Sequence, residues 1–480
     1  MTALFWSGLW LINTIVLVYF AVLNTVYLLT SLLAFRFLRR YVHRLRTLDV
    51  ESLIQSGSAP PVTVIVPAFR EEATCVQTVR ALLTLRYPDY EVIVVSDGSP
   101  DRTLDVLTEH FTLAPASRLP SAELPTRPNR GLFRSRSHPQ LWVVDKENGG
   151  KSDALNAGLN ICRTPLFCVI DADSILEPDA LMRATRPFLE DERSVAVGGI
   201  IRIVNGSTVE HGRVREVRLP TSFLARLQVL EYLRAFLSAR VAWAEVNGTL
   251  IISGAFGVFR RDIVVGAGGF ATNTVGEDME LVIRLHRYCQ ARRLPYRLTF
   301  VPDPVAWTEC PETLRGLARQ RDRWQRGLVE SLVRHWRMLF NPRYGTAGTL
   351  AFPYYLLFEM LGPLVEVVGY VAFIVTLVLG AWSPAYVAAF LTLAIVLGIA
   401  LSAAAIALEE LTFRRYSRWS DLRQLFWLAV VENLGYRQLN SLWRVRGLFT
   451  ALIRSRRWGS APRKGFESPT AEDVPERAAA

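Results

Sequence analysis

Several short polar runs in this chain carry side chains that could act together on a phosphorylated ligand. Asp171 and Asp173 stand one residue apart directly after the apolar run 166–170, where their oxygens can meet a hard divalent cation, Mg²⁺ or Mn²⁺, that also bridges phosphates. Just upstream, Glu147-Asn-Gly-Gly-Lys151 combines a glycine pair, which lets backbone approach a ligand, with an ammonium that can meet a phosphate or a surface carboxylate. Gly276-Glu277-Asp278 opens an expected helix, 279–288, where a carboxylate can be a general base or only a favourable helix-start charge. In Gln320-Arg-Asp-Arg323-Trp324 a guanidinium can neutralise a departing diphosphate and an indole face can support a sugar ring. Each run alone has a bland explanation as a turn, a cap or a solvated face; the combination is far more specific.

The elements that must position these residues alternate. The apolar or β-branched runs 62–66, 91–96, 141–144 and 166–170 are separated by helical stretches such as 72–85, the pattern of an α/β fold with a parallel, Rossmann-like sheet. In such sheets ligands sit beyond the carboxyl ends of the strands. Polar groups stand at three of these ends: the run Pro67-Ala-Phe69-Arg-Glu71-Glu72 after the first, Asp97 after the second, Asp171 and Asp173 after the fourth. The stretch 113–140, rich in Pro, Ser and Arg, reads as a mobile exposed insertion.

Apolar segments flank this middle. Residues 9–35 lack charge and are long enough to cross a bilayer core, and the arginines that follow, Arg36, Arg39, Arg40, Arg44 and Arg46, place that end in the cytoplasm. Residues 312–339 form an amphipathic helix at the membrane surface, with Leu314, Leu317, Leu328, Leu332 and Trp336 on one side. Two crossings are expected within 350–380 and 384–408, and 426–442, interrupted by Glu432 and Arg437, is a third or an interfacial helix. The chain thus divides into 1–46 (helix and basic flank), 60–310 (catalytic domain), 311–341 (interface helix), 350–448 (membrane or interfacial helices) and 459–480 (disordered tail). Basic flanks of membrane helices explain most of the net charge of +11, and no nucleic-acid-binding signature is present. The five cysteines have no CxxC spacing and read as reduced, buried thiols.

With these runs in this order, and with Asp97-Gly-Ser and Ser253-Gly254-Ala-Phe among them, the chain resembles the processive branch of the family-2 glycosyltransferases, which includes cellulose, hyaluronan, chitin-oligomer and poly-N-acetylglucosamine synthases. The resemblance implies a GT-A nucleotide-sugar transferase domain inserted between N-terminal and C-terminal transmembrane helices, in an inner or plasma membrane. It implies that Pro67, Phe69, Glu71, Asp97, Lys151 and Asp171 bind a UDP-sugar and that Asp171 and Asp173 hold the metal-diphosphate. Asp278, beside Glu277, becomes the general base, with Arg323 stabilising the leaving group. Gln320, Trp324, Ser253 and Gly254 then meet the growing polysaccharide, and Trp307, Trp324 and Trp336 offer stacking surfaces near its entrance. A small membrane accessory subunit and membrane lipid are the other expected partners. The chain departs from the family pattern at Phe69-Arg70, where Tyr-Asn is frequent, and at Ser96-Asp97, where two aspartates are frequent. The competing readings are transfer of a single sugar to a polyprenyl-phosphate carrier, and an inactive scaffold subunit of a polysaccharide export complex.

Overall fold

The structure, a computed structural model, describes residues 2–45, 59–210, 212–416 and 418–453. Arg46, the basic residues Arg454, Arg456, Arg457, Arg463 and Lys464, and the tail 459–480 lie outside them. The apolar runs form strands because their β-branched residues pack on both faces of a covered sheet. β1 (Val62–Ala68), β2 (Tyr90–Asp97), β3 (Leu113–Pro115), β4 (Asn129–Ser135), β5 (Leu141–Lys146), β6 (Leu166–Ile170) and β7 (Ser174–Leu176) precede β8 (Ser194–Ile203), β9 (Thr208–Glu210), β10 (Arg213–Glu216), β11 (Phe256–Arg260) and β12 (Arg297–Thr308). Ten of them make one sheet in the order β3-β4-β5-β2-β1-β6-β11-β8-β12-β7, and β9 pairs with β10. The register sets Ala68 beside Ser96, so the carboxyl ends of β1 and β2 share one edge with the end of β6.

Two expectations are corrected here. The sheet is mixed: β5, β2, β1 and β6 run parallel, but β11 is antiparallel between β6 and β8. Periodicity could not report this, because a buried strand reads as a continuous apolar run in either direction. The stretch 113–140 is part of the fold: β4 pairs with β5, Leu124 is buried, and Asn160 binds the backbone of Leu124 through both ends of its amide. Its polar composition belongs to the short edge strand β3, its largely exposed neighbour β4 and the loop between them, stitched down where Arg118 pairs with Glu91 and covers the Trp142 ring.

The N-terminal helix spans Thr2–Leu45, so Arg36, Arg39 and Arg40 continue it instead of following it. Among the described residues two helices are long and apolar enough to cross a membrane, Leu4–His43 and Pro384–Thr412; the bent pair Ala347–Met360 and Gly362–Val378 makes a third if it is one span. The stretch 426–442 is divided between Trp419–Val431 and Arg437–Leu452, with non-helical backbone at Leu434 and Gly435. A buried ion pair between Arg202 on β8 and Glu409 on the helix Leu397–Thr412 (2.5 Å) ties the sheet to the apolar helices.

Two helices carry the chemistry-bearing runs to the sheet edge. Glu277–Ala291 begins at the Glu-Asp pair, and Leu314–Arg334 contains the Gln-Arg-Trp run. They touch backbone to backbone: a Cβ on Gly276 would stand 2.7 Å from the Gly327 Cα, and one on Gly327 would stand 2.8 Å from the Gly276 Cα. Glu330 fixes the approach by accepting from Thr274 Oγ1 (2.9 Å) and Val275 N (3.0 Å). On its other side, Leu314–Arg334 packs on Arg437–Leu452, where Gly447 leaves room for the Asp322 carbonyl. Its inward face therefore carries Arg321, Gln325 and Arg326 as well as Leu317 and Leu332, while Leu314 and Trp336 are exposed.

Gly327→Ala forces backbone apart and should cost about 1–3 kcal/mol, measured by thermal unfolding in detergent. Gly8→Ala, with open space around its Cβ position, should be neutral or stabilising by helix propensity.

Glu280, buried on the same helix, accepts from Arg284 (2.9 Å) and His335 (3.2 Å). Burial alone would raise its pKa; the His335 and Arg284 hydrogen bonds outweigh it and hold the carboxyl at about 2, against 4.5 ordinarily. A depressed folded value contributes stability above the unfolded pKa and loses it as pH falls. Unfolding free energy measured by urea titration should therefore drop between about pH 4.5 and 2 more steeply in the natural protein than in Glu280→Gln.

Candidate active site

A cavity of about 2870 Å³ opens at the carboxyl edge of the sheet and continues between the apolar helices. The predicted catalytic, donor, acceptor and metal residues border it: Pro67, Phe69, Glu71, Asp97, Lys151, Asp171 and Asp173 from the sheet edge, Ser253, Gly254, Glu277 and Asp278 from the middle, Gln320, Arg323 and Trp324 from the far wall; Trp307 and Trp336 do not.

At its centre stands Lys151, first residue of the helix Lys151–Ile161. Its ammonium lies 2.6 Å from Asp171 and 3.3 Å from Glu277, joining β6 to the helix that carries Asp278. Burial alone would lower the lysine pKa; Asp171, Glu277 and Asp278 outweigh it and raise it above the ordinary value. Glu277 is buried and desolvation pushes its carboxyl up, with Lys151 opposing. Asp278 is half-buried, and its two oxygens accept from Gly254 N (3.2 Å) and Met279 N (2.8 Å). Gly254 thus orients the candidate base, and a side chain there would strike the Lys151 ammonium at 2.8 Å.

The Asp97 carboxylate is buried and points at the loop 147–150, accepting from Lys146 Nζ (2.7 Å), Gly149 N (3.0 Å) and Gly150 N (2.7 Å), so it holds that loop at the cavity edge. Lys146, fully buried between Asp97 and Asp153 (2.5 Å), supports the loop 147–150 from behind the cavity and was missed by sequence reasoning. Its signal was a cation ending β5, beside Asp145 and after the apolar residues 141–144. Gly327 was missed too, although a glycine inside a helical pattern marks close backbone approach.

On the donor side Phe69 is 40% exposed, with the Arg70 guanidinium 5.5 Å from its ring. Arg70 has φ 59°, so the chain turns sharply there. Glu71 is buried and accepts from Thr74 Oγ1 (2.7 Å), a helix-start role. On the far wall Trp324 is 44% exposed beneath the Arg321 guanidinium at 4.5 Å, and Arg321 pairs with Glu231 (2.8 Å). The buried Gln320 Oε1 has no hydrogen-bond partner among the described residues. Trp307, expected as a stacking surface, is instead fully buried in β12 and donates to Glu177 (2.8 Å). The apolar β12 pattern around it favours a core position over an entrance.

Asp171 and Asp173 offer hard oxygens at the cavity wall, Asp171 31% exposed at its side chain and Asp173 buried. Among the described residues no third His, Cys, Asp or Glu completes a metal cluster with them. This donor set suits a divalent cation that takes its other ligands from phosphate and water.

Comparison with known proteins agrees with this geometry. The family model described as Glycosyl transferase family 2 matches residues 63–264, and that described as Glycosyl transferase family group 2 matches residues 166–401. The poly-beta-1,6-N-acetyl-D-glucosamine synthase of Staphylococcus aureus (strain COL) is 27% identical over 342 residues, 71% of this chain and 70% of that one. Among solved structures, the mannosyltransferase PcManGT from Pyrobaculum calidifontis, in complex with GDP-Man and Mn²⁺, aligns with a TM-score of 0.51 at 21% identity, covering 88% of this chain and 99% of that one. That likeness is one of fold. The mixed Rossmann-like sheet, the polar edge beyond it and these matches together make the chain a family 2 glycosyltransferase with a GT-A catalytic domain.

Proposed function

We propose that this enzyme is an inverting membrane transferase that moves a sugar, N-acetylglucosamine or glucose, from a UDP-sugar onto the end of a growing β-linked polysaccharide. The observation that carries the reading is Asp278, oriented by two backbone amides, in one cavity with Lys151, Asp171 and the Gln-Arg-Trp helix. Asp278 takes the proton of the acceptor hydroxyl as that oxygen attacks the anomeric carbon opposite the leaving diphosphate, which inverts configuration. Lys151 and Arg323 supply fixed positive charge toward the diphosphate, of the kind that assists most where charge develops. Asp171 and Asp173 would hold Mg²⁺ or Mn²⁺, which supplies neutralisation of the departing phosphates when bound. Phe69 stacks on the base, and Asp97 acts through the loop it holds.

Extension of a polymer is favoured over transfer to a lipid carrier by the far end of the cavity. It runs on past Tyr27, Glu359, Glu366, Arg437 and Arg444 between the apolar helices, a polar path continuous with the site. The name of the Staphylococcus aureus relative supports an N-acetylglucosamine donor. Arg36, Arg39 and Arg40 at the sheet end of the first helix support a catalytic domain on the cytoplasmic side of a plasma or inner membrane.

Purified protein in detergent, offered UDP-glucose, UDP-N-acetylglucosamine and UDP-glucuronate with Mg²⁺ or Mn²⁺, should release UDP with one preferred donor and build high-molecular-weight product. Asp278→Asn should lower turnover by about 10²-fold or more, and chelation should stop it. A lipid-linked monosaccharide as sole product would replace the polymer reading.

A further inference from the structure

The helical segment 223–245 borders the cavity, and its backbone stays helical through the wider turn at Arg234–Arg240. Phe236, Arg240 and Trp243, spaced by four and then three residues, fall on one helix face. Arg240 stands out electrostatically. Its guanidinium lies over the Phe236 ring at 4.0 Å, no carboxylate of the described residues pairs with it, and its Nη1 is buried without an acceptor. The indole Nε1 of Trp243 is likewise buried without an acceptor, while its ring packs on Tyr354 with centroids 5.0 Å apart. Buried polar groups are almost always hydrogen-bonded, so two unsatisfied donors on one cavity-lining face call for an explanation. Burial pushes the Arg240 pKa down, and Asp278 is among the groups near enough to oppose it.

The chemistry of this face is one-sided: it donates and is cationic, and its apolar parts are aromatic. A fitting ligand presents oxygen acceptors, has a ring face to lay on aromatic carbon, and carries no positive charge. We propose that Phe236, Arg240 and Trp243 form an acceptor-sugar subsite beside Asp278, in which Arg240 and Trp243 donate to ring substituents, foremost an acetamido carbonyl. The subsite takes N-acetylated units and disfavours units with a free amine, whose ammonium would face the Arg240 cation. This inference rests on the transferase reading above and names its acceptor chemistry.

The test uses the full chain in detergent with its preferred UDP-sugar and two acceptor series, β-linked N-acetylglucosamine oligomers and the same oligomers after removal of their acetyl groups. The natural protein should use the acetylated series at lower concentration. Trp243→Phe, which keeps the ring and removes the N–H, should raise the acceptor KM about threefold to tenfold, the worth of one hydrogen bond. Arg240→Met should raise it further and shrink the preference for acetylated acceptors, and Arg240→Lys, which keeps the charge, should retain part of that preference. The KM for the UDP-sugar should stay within about twofold in each. Equal shifts in donor and acceptor KM, or unchanged acceptor KM and preference in variants that melt like the natural protein, would overturn the subsite alone. Absence of turnover by the natural protein with every UDP-sugar would overturn the transferase reading and this inference together.

Discussion

The contact of Gly276 with Gly327 sets the spacing between the two helices on which the chemistry depends. One begins with Glu277 and Asp278; the other carries Gln320, Arg323 and Trp324. Any side chain at either glycine would lie inside the other's backbone, so the distance from Asp278 to the far wall is fixed by two missing Cβ atoms. Helix propensity disfavours glycine by about 1 kcal/mol at an interior position such as 327. What the position gains is registry, which Glu330 locks by binding the loop that leads into Gly276. The Gln-Arg-Trp helix also leans on Arg437–Leu452 through Gly447. The C-terminal helices are thereby tied to this wall both by close backbone approach and by side-chain bonds, Arg444 to Gln325 and Thr450 to Asp322.

Electrostatics supplies the second constraint. Lys151 is held among Asp171, Glu277 and Asp278, and Lys146 between Asp97 and Asp153. A buried charge is costly unless paired, and removing one partner strands the other. The lower pair, closed off from solvent, fixes the loop 147–150 and so the start of the helix on which Lys151 sits. The upper lysine is partly exposed to the cavity. A diphosphate arriving there would find a cation already charged and already aimed, with no desolvation left to complete on its buried side.

How much of this was legible in sequence follows from what each pattern encodes. β1, β2, β5 and β6 were readable because a buried strand ending in a polar turn combines two strong signals, and Asp97, Asp171 and Asp173 followed from the ends of those strands. Gly254 and Asp278 were placed at the site, but their mutual hydrogen bond was not, since a residue separation of 24 says nothing about an amide's direction. Strand direction at β11 was silent for the reason that apolar runs have no polarity. The segment 113–140 misled because prolines and arginines also suit a sheet edge. Trp307 misled because an indole with a carboxylate acceptor, Glu177, is as comfortable in a core as at an interface. Arg240 and Trp243 carry no motif; what marks them is one buried N–H each without an acceptor among the described residues, which only three dimensions reveal.

The charged residues in the C-terminal helices follow the same logic. Arg444 pairs with Glu359 (3.0 Å) and binds Gln325 of the Gln-Arg-Trp helix (2.9 Å); Arg234 reaches Glu432 (2.5 Å); Arg437 stands 3.8 Å from Glu366. Ionisable groups among apolar helices are expensive, and they persist where they face one another or a wet interior. Here they cross between helices, so the outer surface stays apolar while the inner surface is polar. That division is why 419–452 falls short of a membrane span by hydropathy although it packs against helices that qualify. Arg437, Asn440, Ser441 and Arg444 of its second helix line the cavity that Asp278 also borders, while Trp427 and Phe449 are exposed at the periphery. The low hydropathy of that helix thus comes in part from its inward face, and the polar path and the sheet edge belong to one continuous wall.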